Sequence, residues 1–281
     1  MNLVSLLLNG LTLATILMIV ALGLAIIFGL MNVINLAHGE FVTIGAYTLA
    51  LVQALGGSYW LALLLAPIVG GLLGLALERT LIRFLYRRPI SAILATWGLS
   101  LVIQQLIQLA FGAAPRRVDS PIDGSILILG ESYPAYRLFL IVVAALVVAA
   151  CAIGFKYTRF GLDLRAVIQN RSVAAAMGIN TERVYAAAFA LGVAMAALAG
   201  VLIAPLTVVI AQMGLNYLAR SFFVVILGGA GSIGGVAASS VFVGGLETVL
   251  NYQIPVTVSQ ALVLVIAILI IRFRPQGLLP A

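Results

Sequence analysis

The chain has 281 residues, of which 64% are hydrophobic and only 8% are charged, whereas soluble domains carry roughly 25% charged residues. This composition excludes an ordinary soluble domain and indicates an all-α integral membrane protein with several spans. The formal net charge of +7 would suggest a nucleic-acid partner in a soluble protein. Here the basic residues lie in short loops between apolar runs, which the positive-inside rule explains, so no nucleic-acid partner is expected. The single cysteine, Cys151, excludes an internal disulfide and a cysteine-based metal site.

The first apolar run, residues 1–37, contains no charged residue and is too long for the apolar region of a signal peptide, so we expect a retained span. The next uncharged run, 41–77, exceeds the about 20 residues that one crossing needs. Gly56-Gly57-Ser58 is its natural break. Three further spans are expected, at about 89–112, 135–155 and 184–210.

Two apolar segments, 221–227 and 236–250, flank the glycine-rich sequence 228–235. They form either two short crossings or a re-entrant hairpin followed by one span at 256–271, and the sequence is compatible with both. The chain is therefore expected to be a single transmembrane domain, residues 1–281, with roughly eight to ten spans that include broken or re-entrant helices.

Clusters of basic residues predict the orientation. The clusters at 79–88, in 156–183 and near the C-terminus predict cytoplasmic segments, whereas the charge-balanced loop 113–137 is expected to face outward. Three crossings before Arg79 would place the N-terminus outside, and no charge near Met1 tests this.

The segment 156–183 contains seven of the 23 acidic and basic residues, five of them basic. Because a charged side chain at the bilayer centre costs about 2.5–3.5 kcal/mol on insertion scales, this segment is expected outside the membrane. Its alanine-rich part, 171–177, favours a short helix that Gly178 ends. Either this helix is a docking element for a soluble motor protein, or the segment is a solvated basic loop. Composition alone leaves both possibilities open.

Polar residues interrupt the first apolar region. Asn32, Asn35, His38 and Glu40 lie within nine residues, and ionisable groups inside a membrane usually mark a solute or ion pathway. These groups either contact solute or hydrogen-bond across helices and hold the bundle together. One histidine and one glutamate are too few ligands for a zinc site.

A second interruption, Gly229-x-Gly231-x-x-Gly234, formally matches the dinucleotide-binding fingerprint. No soluble strand–helix–strand unit surrounds it, so close packing of helices on small residues explains it better. A helix that begins near Gly234 could also direct its positive end towards a polar or anionic solute. Because each half of the chain contains an interruption, broken helices at 32–45 and 228–235 are expected to gate a solute path.

Further polar residues lie within apolar runs, and no set of residues typical of catalysis occurs, so an enzyme is not expected. The candidate residues of the substrate path are Asn32, Asn35, His38, Glu40, Thr96, Gln104, Gly231 and Glu247.

Several motifs together resemble one protein family. They are Asn35-Leu36-Ala37-His38-Gly39-Glu40 followed by Gly45-Ala46-Tyr47, Gly161-Leu162-Asp163-Leu164-Arg165-Ala166-Val167, Asn170-Arg171-Ser172-Val173-Ala174-Ala175-Ala176-Met177-Gly178-Ile179, Leu227-Gly228-Gly229-Ala230-Gly231-Ser232-Ile233 and Arg274-Pro275-Gln276-Gly277-Leu278. In unbroken order, they are similar to the permease subunits of ABC importers for branched-chain amino acids and urea. The resemblance implies a type II-like importer fold and a location in a bacterial inner membrane.

The resemblance also implies partners: a second homologous permease subunit, two cytoplasmic ATPase subunits and an extracytoplasmic solute-binding protein. ATP and Mg would be bound by the ATPases, and this chain, which has no Walker sequence, is expected to bind no cofactor. The helix that contains 174–179 resembles the element that docks into the ATPase. The residues expected to take part in this coupling are Arg165, Arg171, Ala175, Ala176, Gly178 and Ile179.

Within the family, Gln104-Gln105 and the tail 274–277 slightly favour urea or short amides, whereas the short outer loop 113–137 fits the urea branch less well. Urea and branched-chain amino acids both stay open as substrates. An alternative function is a passive channel or an ion-coupled carrier for urea or amino acids, which needs no docking helix. A structural scaffold fits poorly with His38 and Glu40 in the membrane.

Overall fold

The computed structural model describes residues 3–31, 34–86, 88–229 and 231–273, and these are mostly helical, which confirms the all-α expectation. The helices are α1 (Leu3–Met31), α2 (His38–Ala54), α3 (Tyr59–Thr80), α4 (Pro89–Phe111), α5 (Ala135–Tyr157), α6 (Arg159–Gln169), α7 (Arg171–Ala176), α8 (Thr181–Ile203), α9 (Leu215–Gly228), α10 (Ile233–Asn251) and α11 (Val256–Phe273). Short 3-10 turns follow α3 and α8, at Ile82–Phe84 and Ala204–Leu206. An antiparallel hairpin of β1 (Ser125–Ile128) and β2 (Glu131–Pro134) lies between α4 and α5.

Seven helical segments of the described residues are long and apolar enough to cross a membrane, by their length and composition. The helices α2 and α9 are shorter, with 17 and 14 residues. The expected break in the long apolar run is confirmed, because α2 ends at Ala54 and α3 begins at Tyr59. Ser58 caps α3 by accepting a hydrogen bond from the Leu61 amide at 3.3 Å.

One end of the bundle contains the β-hairpin, residues 112–134, and is called the hairpin end below. The start of α1 lies there, because the Ser5 hydroxyl donates to Glu131 Oε2 at 3.1 Å. The end of α2 lies there as well, since the Gln53 side chain exchanges hydrogen bonds of 3.0 and 2.9 Å with the Asp119 backbone. The N-terminal end of α1 and the loop 113–137 therefore share one side of the bundle.

The opposite end, formed by residues 79–86 and 156–183, is called the basic end. Arg83 forms a 2.8 Å ion pair with Glu182 across these two segments. The two basic clusters thus lie on one side, as the charge pattern predicted, and the hairpin lies on the other.

The helices α1 and α8 form the centre of the bundle. Helix α8 packs against α1, α2 and α3, while α1 packs against α8, α9 and α10. A Cβ on Gly23 would overlap the Gly192 carbonyl oxygen, and one on Gly192 would overlap that of Gly23. The absence of side chains at these two positions therefore lets the central helices cross in backbone contact.

Helices α2 and α9 both begin inside the bundle. His38 starts α2, and its Nε2 lies 3.3 Å from the Val20 carbonyl oxygen in the middle of α1. Gly39 and Gly214 then touch so closely that a Cβ on either would overlap the other's carbonyl oxygen. The Gly214 amide also donates to Thr43 Oγ1 at 3.0 Å. The first turn of α2 and the residue before α9 are therefore joined at the middle of the bundle.

From this meeting point the two helices run in opposite directions. Helix α2 ends at the hairpin end, and α9 leads to Gly231, which lies beside Lys156 and Arg165 of the basic end. Helix α10 then returns, because Asn251 at its last turn lies beside Arg137 near the hairpin. This geometry decides between the two alternatives for this region: the chain crosses twice and forms no re-entrant hairpin.

The matched interruptions are therefore not both where the sequence predicted them. The unwound part between α1 and α2, described at 34–37, lies within the predicted range 32–45. The second predicted interruption, 228–235, is a connection between two helices at the basic end and not a break inside the bundle, because α9 ends at Gly228 and α10 begins at Ile233. The second unwound segment is 204–214, which leads from α8 back into the bundle.

Two triplets of helices consequently repeat with inverted direction. Helices α1, α2 and α3 correspond to α8, α9 and α10, and each triplet consists of a long helix, an unwound return, a shorter helix and another span. The packing of α1 on α9 and α10 matches the packing of α8 on α2 and α3. Inverted repeats with discontinuous helices are typical of secondary transporters, whose solute sites lie near the breaks.

The contact between α2 and α8 provides a test of this packing. A Cβ on Gly45 would overlap the Ala197 carbonyl oxygen, whereas a Cβ on Gly98 in α4 would meet nothing within 4 Å. We expect Gly45→Ala to lower the free energy of unfolding by about 1–3 kcal/mol through overpacking. Gly98→Ala, the control, should leave it unchanged or raise it by up to about 1 kcal/mol through helix propensity. Thermal unfolding of the purified protein in detergent measures both, and equal midpoints would contradict the packing.

Candidate translocation and coupling sites

The unwound segment before α2 is held by side chains in place of helical hydrogen bonds. The Ala37 amide donates to Asn35 Oδ1 at 3.0 Å, and the Leu36 amide donates to Thr96 Oγ1 of α4 at 3.1 Å. Inside a membrane, backbone that leaves a helix needs such partners because no lipid group replaces them. Asn35 and Thr96 thus make the break possible.

Glu40 forms the centre of a buried polar cluster between α2 and α4. Its Oε1 accepts hydrogen bonds from Ser100 Oγ at 2.8 Å and from Gln104 Nε2 at 2.7 Å. The Gln104 amide also donates to Ser100 Oγ at 3.1 Å. Because α4 contacts the rest of the bundle mainly through α2, these bonds attach it. Four of the predicted path residues, Asn35, Glu40, Thr96 and Gln104, are thereby brought together around one helix contact.

The burial of this cluster bears on its role. His38 and Glu40 are 0% exposed, so neither lines an open cavity in this conformation. Three atoms of this cluster have no hydrogen-bond partner among the described residues: Asn35 Nδ2, His38 Nδ1 and Glu40 Oε2. Buried polar atoms without partners are unusual, so each would gain from water or solute that enters on a conformational change. Asn32 lies outside the described residues, and contact of this cluster with solute remains a prediction.

Glu247 lies in a different place, between α9 and α10. It is buried and forms a 3.3 Å ion pair with Arg220 of α9, whose side chain is 21% exposed. The sequence singled out Glu247 as a path residue but did not indicate that it pairs with Arg220. The sequence signal that could have identified this partner was Arg220 itself, a single basic residue between two apolar runs.

Gly231 lies in a third region, the connection between α9 and α10 at the basic end. It has a positive φ of 82° and lines a cavity of about 370 Å³ together with Lys156 and Arg165. Helix α10 begins at Ile233, next to the start that the sequence predicted, and Ser232 Oγ accepts a hydrogen bond from the Gly235 amide at 3.1 Å. The helix terminus is thus partly capped by its own serine.

The described path residues therefore form three groups and no continuous row. None of them lines the most polar cavity of the hairpin end, which has a volume of about 650 Å³. Asn9, Arg137, Tyr217 and Asn251 do line it, and the sequence did not single out the first three. In the sequence, Arg137 was recognised only as one of the charges of the charge-balanced loop 113–137.

The segment 156–183 is folded into helices and is not a loop. Helix α7 lies where the alanine-rich sequence predicted a helix, and Asn170 caps it by accepting hydrogen bonds from the Ser172 and Val173 amides at 3.0 and 3.1 Å. Gly178 ends it with a φ of +86°, a conformation that glycine adopts without strain. The preceding helix α6 was not anticipated.

The predicted coupling residues differ in what they present to a partner. Ala175, Ala176 and Gly178 are exposed, whereas Ile179 packs partly against the core. Within residues 171–179, the large exposed apolar side chains are Val173 at 54% and Met177 at 78%. The coupling residues predicted from the sequence did not include these two.

Arg171 holds α7 on the bundle through an aromatic network. Its guanidinium lies 4.8 Å from the Tyr185 ring centroid, and the rings of Tyr185 and Tyr86 are 4.7 Å apart. The Tyr86 hydroxyl donates to the buried carboxylate of Glu78 in α3 at 2.5 Å. Burial raises the pKa of Tyr86, and the adjacent Glu78 raises it further, so the phenol keeps its proton. The exposed helix is thus connected to α3, one of the membrane-spanning helices.

Arg165 lies outside this aromatic network. It is exposed on α6 and lines the cavity beside Gly231. Participation of these residues in coupling remains a prediction.

Removing the Tyr86 hydroxyl tests the network. Tyr86→Phe leaves the Glu78 carboxylate buried without this donor, and we expect the free energy of unfolding to fall by about 1–3 kcal/mol. Tyr157→Phe is the matched control, because Tyr157 is 73% exposed and the same change should have no effect. Unfolding in mixed detergent micelles measures both, and equal stability of the two variants would argue against a structural role for the bond.

The Arg220–Glu247 pair gives an asymmetric prediction. Arg220→Met leaves Glu247 buried and unpaired, which costs roughly 3 kcal/mol, whereas Glu247→Leu should cost less because Arg220 is partly exposed. The double variant is expected to be more stable than Arg220→Met alone. A double-mutant cycle of unfolding free energies tests this, and additive effects would show that the two charges do not interact.

Comparison with known proteins identifies a family that matches nearly the whole chain. A family model described as "Branched-chain amino acid transport system / permease component" matches residues 6–272. The chain is 28% identical to the high-affinity branched-chain amino acid transport system permease protein LivH of Salmonella typhimurium over 288 residues, which cover 96% of this chain and 93% of that protein. It is also 28% identical to the corresponding permease protein BraD of Pseudomonas aeruginosa, with 97% and 94% covered.

A third relative is the permease protein LivM of Escherichia coli, which is 26% identical over 96% of this chain and 69% of its own length. No solved structure matches the chain. The family match extends across nearly all described helices, from α1 to α11. The chain therefore belongs to the family of permease components of branched-chain amino acid transport systems.

Proposed function

We propose that this chain is one of two permease subunits of an ABC importer for branched-chain amino acids. The observation that carries the proposal is the family match over residues 6–272, combined with relatives named as high-affinity branched-chain amino acid permeases. Similarity to both LivH and LivM proteins supports a second, homologous permease as the partner.

The substrate proposal departs from the slight preference for urea that the sequence motifs suggested. The relatives described above carry names that refer to branched-chain amino acids and not to urea. Branched-chain amino acids are therefore the substrate class that we propose, and the polar residues within the spans would serve its charged groups.

The exposed surface of α7 supports an ATP-driven mechanism. Val173 and Met177 are large apolar side chains that lie exposed beside small Ala175 and Ala176. Such a surface, surrounded by basic residues, fits a docking site for a soluble partner. The ATPase subunits would bind there, and the network from Arg171 to Glu78 would transmit their movement to α3.

The proposed orientation follows from the positive-inside rule. The basic end, with 79–86 and 156–183, would face the cytoplasm of a bacterial cell and bind the ATPases. The hairpin end would face outward and receive solute from a binding protein. Alternating access would move the two discontinuous helices, α2 and α9, which meet at Gly39 and Gly214.

The docking surface gives the decisive prediction. We expect Val173→Asp to abolish co-purification of the ATPase subunits and to lower ATP-dependent leucine uptake at least about tenfold, because a charge would be buried at the contact. Leu127→Asp makes the same kind of change at an exposed position of the hairpin, at the opposite end of the bundle, and should leave co-purification of the ATPase subunits unchanged. ATPase binding and uptake in proteoliposomes measure the effect.

The alternative, a passive channel or ion-coupled carrier, predicts a different result. Uptake would then continue at full rate after deletion of the ATPase subunits, and Val173→Asp would have no effect. Full ATPase binding and full uptake in Val173→Asp would also remove the structural support for the importer proposal.

A further inference from the structure

The polar cavity at the hairpin end is open to a small charged solute. It has a volume of about 650 Å³ and lies between the first half of α1, the start of α5, the end of α8, the first turn of α9 and the last turn of α10. Pockets of roughly 300–1,000 Å³ are typical of small-molecule sites. The cavity also extends from the hairpin end towards the level at which α2 and α9 meet.

One wall of the cavity presents an arginine that lacks a carboxylate partner. The ion pairs formed within residues 3–31, 34–86, 88–229 and 231–273 do not involve Arg137. Its Nη1 donates to Asn9 Oδ1 at 2.6 Å, and its guanidinium lies 5.9 Å from the Tyr133 ring centroid. These contacts fix the plane of the guanidinium but occupy only part of its five N–H donors. The remaining donors can bind a carboxylate in the bidentate manner that arginine favours.

Asn251, which also lines the cavity, is the second polar group of this site. Asn251 Oδ1 is buried and has no hydrogen-bond partner among the described residues. Because a carbonyl oxygen only accepts, this atom requires a donor such as an ammonium group. Arg137 and Asn251 therefore offer a cation for an anion and an acceptor for a donor within one cavity.

Apolar side chains line another part of the same cavity. Leu13 and Ile16 of α1 lie further from the hairpin end than Asn9. Burying an aliphatic side chain against them contributes roughly 25 cal/mol per Å² of apolar surface. The cavity thus combines an anion site, an acceptor and an apolar surface, which are the three features that the zwitterion of an aliphatic amino acid requires.

We propose that this cavity is a binding site for the zwitterion of an aliphatic α-amino acid within the permease itself. Arg137 binds the carboxylate, Asn251 Oδ1 accepts from the ammonium group, and Leu13 and Ile16 contact the side chain. The inference rests on the proposed function and adds to it a specificity site in the membrane subunit, separate from any binding protein. Solutes that lack the carboxylate bind this site poorly, because they form no charge-assisted, bidentate hydrogen bonds with the guanidinium.

Cysteine protection tests the site without requiring transport. In the assembled complex, Cys151→Ala removes the cysteine of this chain, and Thr248→Cys places a thiol on the cavity wall. We expect millimolar L-leucine, in the absence of binding protein and ATP, to slow labelling by a small hydrophilic thiol reagent severalfold. Leucinol, which has no carboxylate, should not slow it.

Two substitutions of Arg137 distinguish binding at this residue from a general effect of positive charge. Arg137→Gln in this background should abolish protection by leucine, and Arg137→Lys should weaken it about tenfold because lysine lacks the bidentate geometry. Arg117→Gln is the matched control at the same end of the bundle, since Arg117 is exposed and does not line the cavity. Leucine should protect the Arg117→Gln variant as strongly as it protects the parent protein, which carries only Cys151→Ala and Thr248→Cys. The labelling rate without leucine, measured for each variant, reports whether the cavity remains intact.

The outcomes distinguish this inference from the importer proposal. If the parent complex takes up leucine with ATP but leucine gives no protection, or protects Arg137→Gln equally, the cavity site is refuted and the importer proposal stands. If Arg137→Gln loses the binding protein but retains full protection, the arginine docks a protein partner and the site is likewise refuted. Absence of ATP-dependent leucine uptake by the parent complex would instead refute the proposed function.

Discussion

The contact between Gly39 and Gly214 at the middle of the bundle determines how the rest of the chain is arranged. Any side chain at either position would overlap the carbonyl oxygen of the other, so only a pair of glycines permits this approach. The Thr43 hydroxyl adds a hydrogen bond to the Gly214 amide at 3.0 Å. Two helices can therefore begin inside the apolar bundle, one directed to each face, and the chain segments that lead to them must be unwound.

Unwound backbone in a membrane needs hydrogen-bond partners from the protein, and this requirement explains the polar residues of the first interruption. Asn35 and Thr96 bond the backbone of residues 36 and 37, while Ser100 and Gln104 surround Glu40. A residue can serve both as such a support and as part of a gate, because movement of α2 would break these bonds. In the proposed mechanism, the polar cluster and the exposed helix α7 would act together through α3 and α8.

Much of the architecture could be predicted from the sequence because membrane insertion depends on composition. Apolar runs gave the long spans, Gly56-Gly57-Ser58 predicted the turn between α2 and α3, and the alanines before Gly178 predicted α7. Helix α6 was missed because its charged, amphipathic sequence has no apolar run. The second break, 204–214, was also missed, since this segment is apolar and its contacts, Val209 with Arg116 and Gly214 with Gly39, join residues far apart along the chain.

The sequence by itself determined the all-α membrane class, the positions of most helices and the side on which the basic segments lie, because each depends on local hydropathy and charge. Only the tertiary structure decided which polar residues come together. Glu40 with Ser100 and Gln104, Arg220 with Glu247, and Arg137 with Asn9 are pairs separated by many residues along the chain. Their proximity results from the way the two inverted helix triplets cross, and that crossing depends on backbone contacts between glycines that no local pattern reveals.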